Sequence, residues 1–180
     1  MVKQLLIGVL LFLNFYSPPE QYITRQGSVT FFSYTNVENI QATNNQVLSL
    51  FNPSDNTIAV SILMRAFVFK KSLMQEHFNE SYIESDLYPK ATFEGEIVDF
   101  DPSIDGEQTR IVKGNFTLKD VTVERDIKVT INKTNSGYII KGDFDVSIND
   151  HNIKVPRLLS PNIAETINVM FNFQYEPYEN

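Results

Sequence analysis

Most of the chain beyond residue 21 alternates between apolar and polar side chains, as β-strands with one buried face do. From Tyr138 to Ile148, apolar residues or glycine take every even-numbered position, and polar residues take most of the positions between them. The stretch Ile167–Tyr175 alternates in the same way. Because neighbouring side chains on a strand point to opposite faces, these stretches predict an antiparallel sheet with a single apolar side.

Turn-forming residues separate the alternating stretches. Asn135-Ser136-Gly137 predicts one hairpin, and Asp105-Gly106 precedes another strand. Further strands are predicted at residues 28–34, 37–42, 47–51 and 57–69. A total of about eight or nine strands without helical repeats indicates an antiparallel barrel or sandwich, and a barrel of about eight strands can hold side chains or one small ligand.

One segment departs from this pattern. Between Ser72 and Ser85, apolar residues such as Leu73, Phe78 and Ile83 recur at helical spacing, and Pro89 is expected to end the helix. A single short helix beside an antiparallel barrel predicts a cover over one open end. A second, shorter helical turn is predicted at residues 161–165.

The N-terminus has the pattern of a secretory signal. Lys3 precedes an apolar run from Leu5 to Leu13, which is too short for the roughly 20 residues of a membrane-spanning helix. Phe15, Tyr16 and Ser17 do not form the small-x-small pattern expected before a cleavage site, so an uncleaved anchor stays an alternative. We predict a signal peptide at 1–19 and one barrel domain at 20–180, because this length suits a single domain.

Composition narrows the function classes. The 180 residues include 15 Lys and Arg against 22 Asp and Glu, giving a formal net charge of −7, and no Cys. Without a basic run, we expect no binding to nucleic acid, whose affinity comes mainly from neutralised phosphates. An anionic membrane surface is disfavoured for the same reason. The lack of cysteine excludes disulfides, thiolate catalysis and zinc ribbons.

Candidate catalytic and metal sites are weak. Only two histidines exist, His77 and His151, and His77 with Glu80 lacks a third metal ligand. There is no Gly-x-Ser-x-Gly motif and no glycine-rich phosphate loop. Most carboxylates fall on polar strand faces or in turns, although a glycosidase-type pair stays open. We predict no catalytic residue, no metal and no cofactor.

The apolar face of the predicted barrel leaves two alternatives. Its residues are mostly Phe, Ile, Val and Leu, and Gly114 and Gly142 leave space among them. A void lined by such side chains would bind a long apolar ligand, stabilised by burial of apolar surface. A filled core without a ligand is equally compatible with the sequence.

Three segments carry a resemblance to a known family. QEHFNESYIESDLYPKATFEGEI (75–97) resembles the signature of the YceI-like family: a helix ending in His-Phe, a Tyr-hydrophobe-Glu-Ser-Asp run, and a strand opening with Ala-Thr-Phe-x-Gly. GNFTLKDVTVERDIKV (114–129) and GDFDVSINDHNIKVP (142–156) resemble two further blocks in the same order. The similarity extends over residues 27–175.

The resemblance implies an all-β fold: an extended lipocalin-like antiparallel β-barrel of about eight strands with one short helix near residues 72–85. It implies a periplasmic or secreted protein that is not an enzyme and binds a polyisoprenoid or similar amphiphilic lipid in the barrel. The expected partner is a long-chain isoprenoid or quinone-like lipid. The mature chain is expected to have no membrane span, and whether it is a monomer or a homodimer stays open.

The predicted ligand-binding residues combine this resemblance with the apolar strand faces. They are Phe31, Ile62, Phe67, Phe78, Phe93, Ile97, Phe116, Leu118, Ile127, Val129, Ile140 and Phe144. Ile62 and Phe67 have opposite parity on one predicted strand, so we include a β-bulge between them as a hypothesis. The resemblance places the helix-to-strand corner, with structural or pocket-rim roles, at His77, Tyr82, Asp86, Pro89 and Phe93.

Two departures from the family pattern leave the ligand head group open. Lys119-Asp120 stands where the family often has His-Gly, and His151 follows Asp150 where an aromatic residue is frequent. Two other functions are alternatives. One is a ligand-free barrel that interacts through its acidic outer surface, and the other is a carboxylate-based hydrolase, which no residue spacing favours.

Overall fold

The computed structural model describes residues 21–35, 39–156 and 163–178. The predicted signal peptide and the start of the predicted turn at 161–165 lie outside these residues. The strands are β1 Tyr22–Ser33, β2 Ile40–Asn52, β3 Thr57–Leu63, β4 Val68–Phe69, β5 Lys90–Ile97, β6 Glu107–Leu118, β7 Val121–Thr134, β8 Gly137–Ser147 and β9 Thr166–Pro177. No helix within the described ranges has the length and apolar character needed to cross a membrane.

Eight of the strands form a closed antiparallel barrel, which confirms the predicted fold. The order is β1-β9-β8-β7-β6-β5-β3-β2, and pairing of β2 with β1 closes the circle. The short β4 adds to the edge of β2, where Phe69 pairs with Ala42. Closure leaves no free edge around the barrel wall, so the apolar faces of all eight strands meet inside.

Strand β2 is one long strand, although the sequence pattern predicted two. The polar residues between the two predicted strands are accommodated within it. Asn44 is fully buried, and its side chain donates to the Leu63 carbonyl at 2.9 Å and accepts from the Gln46 amide at 2.8 Å. The pairing of β1 with β2 shifts register around Gly27 at this point. A buried amide with satisfied hydrogen bonds therefore lies inside β2, between the two predicted strands.

The predicted strand at 57–69 is interrupted after Leu63. A 3₁₀ turn at Met64–Ala66 ends β3, and the chain resumes as β4. Ile62 and Phe67 are both buried, at 7% and 4% exposure. The bulge hypothesis was therefore wrong in its form, because a helical turn rather than an extra strand residue resets the parity.

The predicted helix near residues 72–85 is present but shorter. It consists of α1 Ser72–His77 and a π-helical turn at Phe78–Tyr82. Glu84, in the left-handed conformation with φ 56°, follows it, so the helix ends before Pro89. The buried Phe78 ring lies 5.5 Å from the Phe31 ring and 5.6 Å from the Phe67 ring, which fixes the helix to one end of the barrel.

Aromatic side chains fill the opposite end of the barrel. The Phe51 ring lies 5.2 Å from the Tyr138 ring, 5.7 Å from the Phe100 ring and 5.8 Å from the Tyr175 ring. Burial raises the pKa of Tyr175, and its hydroxyl donates to the Ser49 hydroxyl at 2.6 Å. None of these four rings is more than 6% exposed, so we call this the closed end.

Candidate functional site

A cavity of about 340 Å³ occupies the barrel interior at the end covered by the helix. This volume lies within the range of about 300–1,000 Å³ that is common for small-molecule sites. Strands, helix and the segment after β8 all contribute to the wall. The apolar lining residues are Val29, Phe31, Ile40, Ile62, Met64, Phe67, Phe69, Leu73, Met74, Phe78, Ile83, Ala91, Phe116, Leu118, Val146, Ile148, Ile153, Val155, Ile163, Ile167 and Val169.

Of the side chains that the structure describes, three polar ones reach the cavity. Ser33 is buried and accepts the Ala164 amide at 2.9 Å, so its hydroxyl oxygen already has a partner. His77 and Tyr82 lie on the helical segment with ring centroids 6.5 Å apart. Burial raises the pKa of Tyr82, which keeps its hydroxyl protonated as a hydrogen-bond donor. The helical side of the cavity is therefore its polar side.

The cavity narrows toward the closed end. A second pocket of about 40 Å³ shares Val29, Ile62, Phe116 and Val169 with the main cavity. It is entirely apolar in its lining. The two spaces share this part of their walls, and we call them together the tapering cavity, wide below the helix and narrow at mid-barrel.

Two glycines shape the narrow part. A Cβ on Gly114 would lie 2.7 Å from the Phe93 ring, and one on Gly142 would lie 2.7 Å from the Phe171 ring. The space that the sequence attributed to these glycines is therefore occupied by aromatic rings. Because the rings lie against glycine backbone, they occupy less of the barrel interior than rings packed against side chains.

The structure divides the twelve predicted ligand-binding residues by depth. Ten line the tapering cavity: Phe31, Ile62, Phe67, Phe78, Phe93, Phe116, Leu118, Ile127, Val129 and Phe144. Ile97 and Ile140 are fully buried but line neither part, because they lie among the side chains of the closed end. Their inward orientation is as predicted, but their place outside the cavity does not fit a ligand-binding role.

Several lining residues were missed in the sequence. Met64 and Met74 lie in helical turns, and Ile153 and Val155 lie in the irregular segment after β8. Met64 shares the parity of Ile62 in the predicted strand at 57–69, whereas Met74, Ile153 and Val155 belong to no predicted strand. Their apolar character was the available signal, but periodicity could not assign their direction.

Lys119 fastens the helical segment to the barrel. Its ammonium donates to the Tyr82 carbonyl at 2.9 Å and to the Glu84 carboxylate at 2.6 Å, and it lies 5.5 Å from the centre of the Tyr88 ring. Lys119 itself has φ 49° in the tight turn between β6 and β7. The residue that departs from the family pattern is thus a positioning residue for the covered end.

His151 is the second departure, and it is fully buried beside the cavity wall. Its ring packs edge-on against Phe116 with centroids 5.4 Å apart, as an aromatic residue would. Nδ1 donates to the carbonyls of Leu118 at 3.3 Å and Val121 at 3.2 Å. Nε2 is buried and has no hydrogen-bond partner among the described residues. The ring is therefore held as the neutral Nδ1–H tautomer.

We expect the unfolding free energy to fall as the pH is lowered from about 7.5 to about 5.5. Burial lowers the pKa of His151, the carbonyl contacts oppose this shift, and nearby Arg125 reinforces it. Because the folded pKa is depressed, the unfolded chain binds the proton more readily. The contribution of His151 is full above about pH 6.5 and is lost as the pH falls below it. Urea unfolding of wild type and His151→Phe at several pH values across this window measures the effect. If the unfolding free energies of the two proteins changed equally with pH, the prediction would be contradicted.

The described residues offer no metal site, since no three His, Cys, Asp or Glu side chains converge within them. Several carboxylates near the covered end are in ion pairs. Asp86 pairs with Arg65, and Asp150 lies 3.2 Å from Arg125. Pro89 accepts the Met64 amide through its carbonyl, which joins the corner to the end of β3.

Comparison with known families gives one match across the barrel. The model of the YceI-like domain matches residues 22–175, which spans all nine strands apart from the last two residues of β9. A search of the curated proteins finds no match.

Solved structures with the same fold include the following three proteins. A polyisoprenoid binding domain from Saccharophagus degradans, implicated in plant cell wall breakdown, is 12% identical with a TM-score of 0.75, covering 88% of this chain and 98% of its own. BcnA of Burkholderia cenocepacia is 15% identical with a TM-score of 0.68, covering 81% and 94%. The YCEI protein of Campylobacter jejuni is 12% identical with a TM-score of 0.57, covering 100% and 91%. At these identities the likeness establishes the fold.

Proposed function

Since this chain belongs to the YceI-like family, we propose that it is an exported, non-enzymatic carrier that holds a long-chain isoprenoid or quinone-like lipid in its barrel. The polyisoprenoid binding domain of Saccharophagus degradans, which has the same fold, supports this ligand class. The apolar N-terminal run after Lys3 supports export to the periplasm or outside the cell.

The observation that carries the proposal is the tapering apolar cavity. Among the described residues, only Ser33, His77 and Tyr82 interrupt a lining that is otherwise aliphatic, aromatic or thioether. Each 100 Å² of apolar ligand surface buried there contributes about 2.5 kcal/mol to binding. A polar ligand would lose its hydration without finding enough partners, so the wall selects an apolar chain.

The polar end of the ligand is proposed to face the helix. Tyr82 supplies a protonated hydroxyl, and His77 supplies ring nitrogens that accept or donate. Both lie where the cavity is widest, while the narrow part is wholly apolar. This orientation puts the chain in the taper and a hydroxyl, phosphate or quinone oxygen beneath the helix.

Organic extraction of the protein purified from its native host, followed by mass spectrometry, tests the function. A stoichiometric prenyl lipid or quinone is the expected result. A clean extract, together with no uptake of a polyprenol or a prenylated quinone by the refolded protein, would refute the carrier function. Tyr82→Phe provides a second measurement on the same material.

Tyr82→Phe is expected to weaken binding of a polyprenol about 2- to 10-fold, because one hydrogen bond to the ligand is worth about 0.5–1.5 kcal/mol. Binding of the corresponding hydrocarbon without a head group should not change. Tyr34→Phe is the matched control, since Tyr34 is exposed and does not line the cavity. Fluorescence titration with both ligands measures the effect; equal losses for the two ligands would place the head group elsewhere.

A further inference from the structure

Exposed apolar side chains surround the covered end of the barrel. Tyr34, Val68, Leu73 and Leu87 are 60%, 67%, 59% and 71% exposed, and they are the four most exposed large hydrophobic residues in the described part of the chain. We call them the apolar rim. Large hydrophobic residues on the outer wall are less exposed, with Leu48 at 44%.

The apolar rim is continuous with the cavity. Tyr34 directly follows the lining residue Ser33, and Val68 lies between two lining residues of the β4 segment. Leu73 belongs to both surfaces, because it lines the cavity while most of its side chain is exposed. Leu87 lies in the turn between the helical segment and β5. A ligand moving out of the cavity past Leu73 would therefore meet apolar side chains of the rim.

The charge around the apolar rim differs from that of the whole chain. The segment from Leu63 to Lys90 contains four basic residues and four acidic residues, so it is electroneutral, whereas the chain carries −7. Basic and acidic side chains are also paired there, as in Arg65 with Asp86 and Lys119 with Glu84. A neutral surface with protruding apolar side chains fits an uncharged interface better than a charged one.

We propose that the apolar rim docks on the surface of a zwitterionic lipid bilayer and that the ligand passes directly between bilayer and cavity. This inference rests on the proposed carrier function. Exposing a prenyl chain to water costs about 0.8 kcal/mol for each CH₂ group, so release into water would make exchange slow. Docking removes that step, because Leu73 lines the cavity and would lie at the bilayer surface together with Val68 and Leu87.

The double variant Val68→Ser/Leu87→Ser tests the docking. Neither residue lines the cavity, and Leu48→Ser/Ile111→Ser on the outer wall is the matched control. Transfer of a fluorescent polyprenol from phosphatidylcholine vesicles is measured beside its equilibrium binding when the probe is added from ethanol. We expect the rim variant to transfer the polyprenol at least tenfold more slowly than the wild type, while its affinity for the polyprenol added from ethanol stays within twofold of the wild-type value. The transfer rate of the wild type should rise with vesicle concentration.

The outcomes separate docking from carrier function. Docking would be overturned if the wild-type transfer rate did not depend on vesicle concentration, or if both double variants transferred the polyprenol at equal rates. Normal binding of the polyprenol added from ethanol would show that the carrier function still holds. No binding by either route would refute the carrier function instead. In that case, flotation of the ligand-free protein with phosphatidylcholine vesicles still tests docking. If the wild type floats with the vesicles and the rim variant does not, docking is supported. If the wild type does not float, docking on a bilayer is overturned in favour of a protein partner.

Discussion

Ala91→Phe is expected to abolish binding of a long-chain prenyl lipid. Ala91 lies on β5, is 2% exposed and lines the main cavity, so an added phenyl ring enters the space that the ligand would occupy. Each tenfold loss of affinity corresponds to about 1.4 kcal/mol. Excluding much of the prenyl chain of the ligand from the cavity costs several times this energy in lost apolar burial. Fluorescence titration with a polyprenol and mass spectrometry of extracted protein measure the loss.

Ala59→Phe is the matched control for this variant. Ala59 lies on the neighbouring β3 and is exposed on the outer wall, so the same substitution there adds a ring outside the barrel. Its ligand binding should equal that of wild type. Because the Ala91→Phe ring fills a void, the variant should stay folded, which circular dichroism and thermal melting check. Undiminished binding by a folded Ala91→Phe variant would show that the ligand lies elsewhere.

Phe51→Ala is expected to lower the free energy of unfolding by about 3–5 kcal/mol. Phe51 is 1% exposed at the closed end and contacts the rings of Phe100, Tyr138 and Tyr175. Truncation removes the apolar transfer energy and leaves a hole that a closed barrel cannot collapse to fill. Urea or guanidinium unfolding measures the change.

Leu50→Ala is the control for the closed end. Leu50 precedes Phe51 on β2 but points outward and is 39% exposed, so its truncation should change stability by no more than about 0.5 kcal/mol. A small effect of Phe51→Ala, similar to that of Leu50→Ala, would mean that the closed end is loosely packed. Such a result would also argue against the closed end as the boundary of the cavity.

Regular alternation made the barrel wall predictable from sequence. Strands β6 to β9 follow the apolar-polar pattern closely, and their inward residues, such as Phe116 and Val129, were assigned correctly to the interior. The helix was also recognisable by its spacing. Neither inference needed tertiary information, because one buried face imposes a period of two on a strand and about 3.6 on a helix.

The errors arose where tertiary contacts override local pattern. Polar residues in the middle of β2 led to two predicted strands instead of one, but buried Asn44 obtains its partners from Leu63 and Gln46. Ile97 and Ile140 share the parity of true lining residues, and only their depth along the barrel axis separates them from the cavity. The position of a side chain along the barrel axis depends on the stagger between neighbouring strands and on which aromatic rings fill the interior at that height. The sequence of a single strand encodes neither.

The closed end has a consequence for kinetics. With Phe51, Phe100, Tyr138 and Tyr175 packed together at one end, the barrel is a blind tube rather than a channel. An incoming molecule cannot push the occupant out ahead of it, so replacement must wait until the first molecule has left by the side on which it arrived. Under the carrier function, the rate of exchange at saturating ligand in the absence of a bilayer therefore equals the dissociation rate of the bound molecule and is insensitive to the concentration of its replacement.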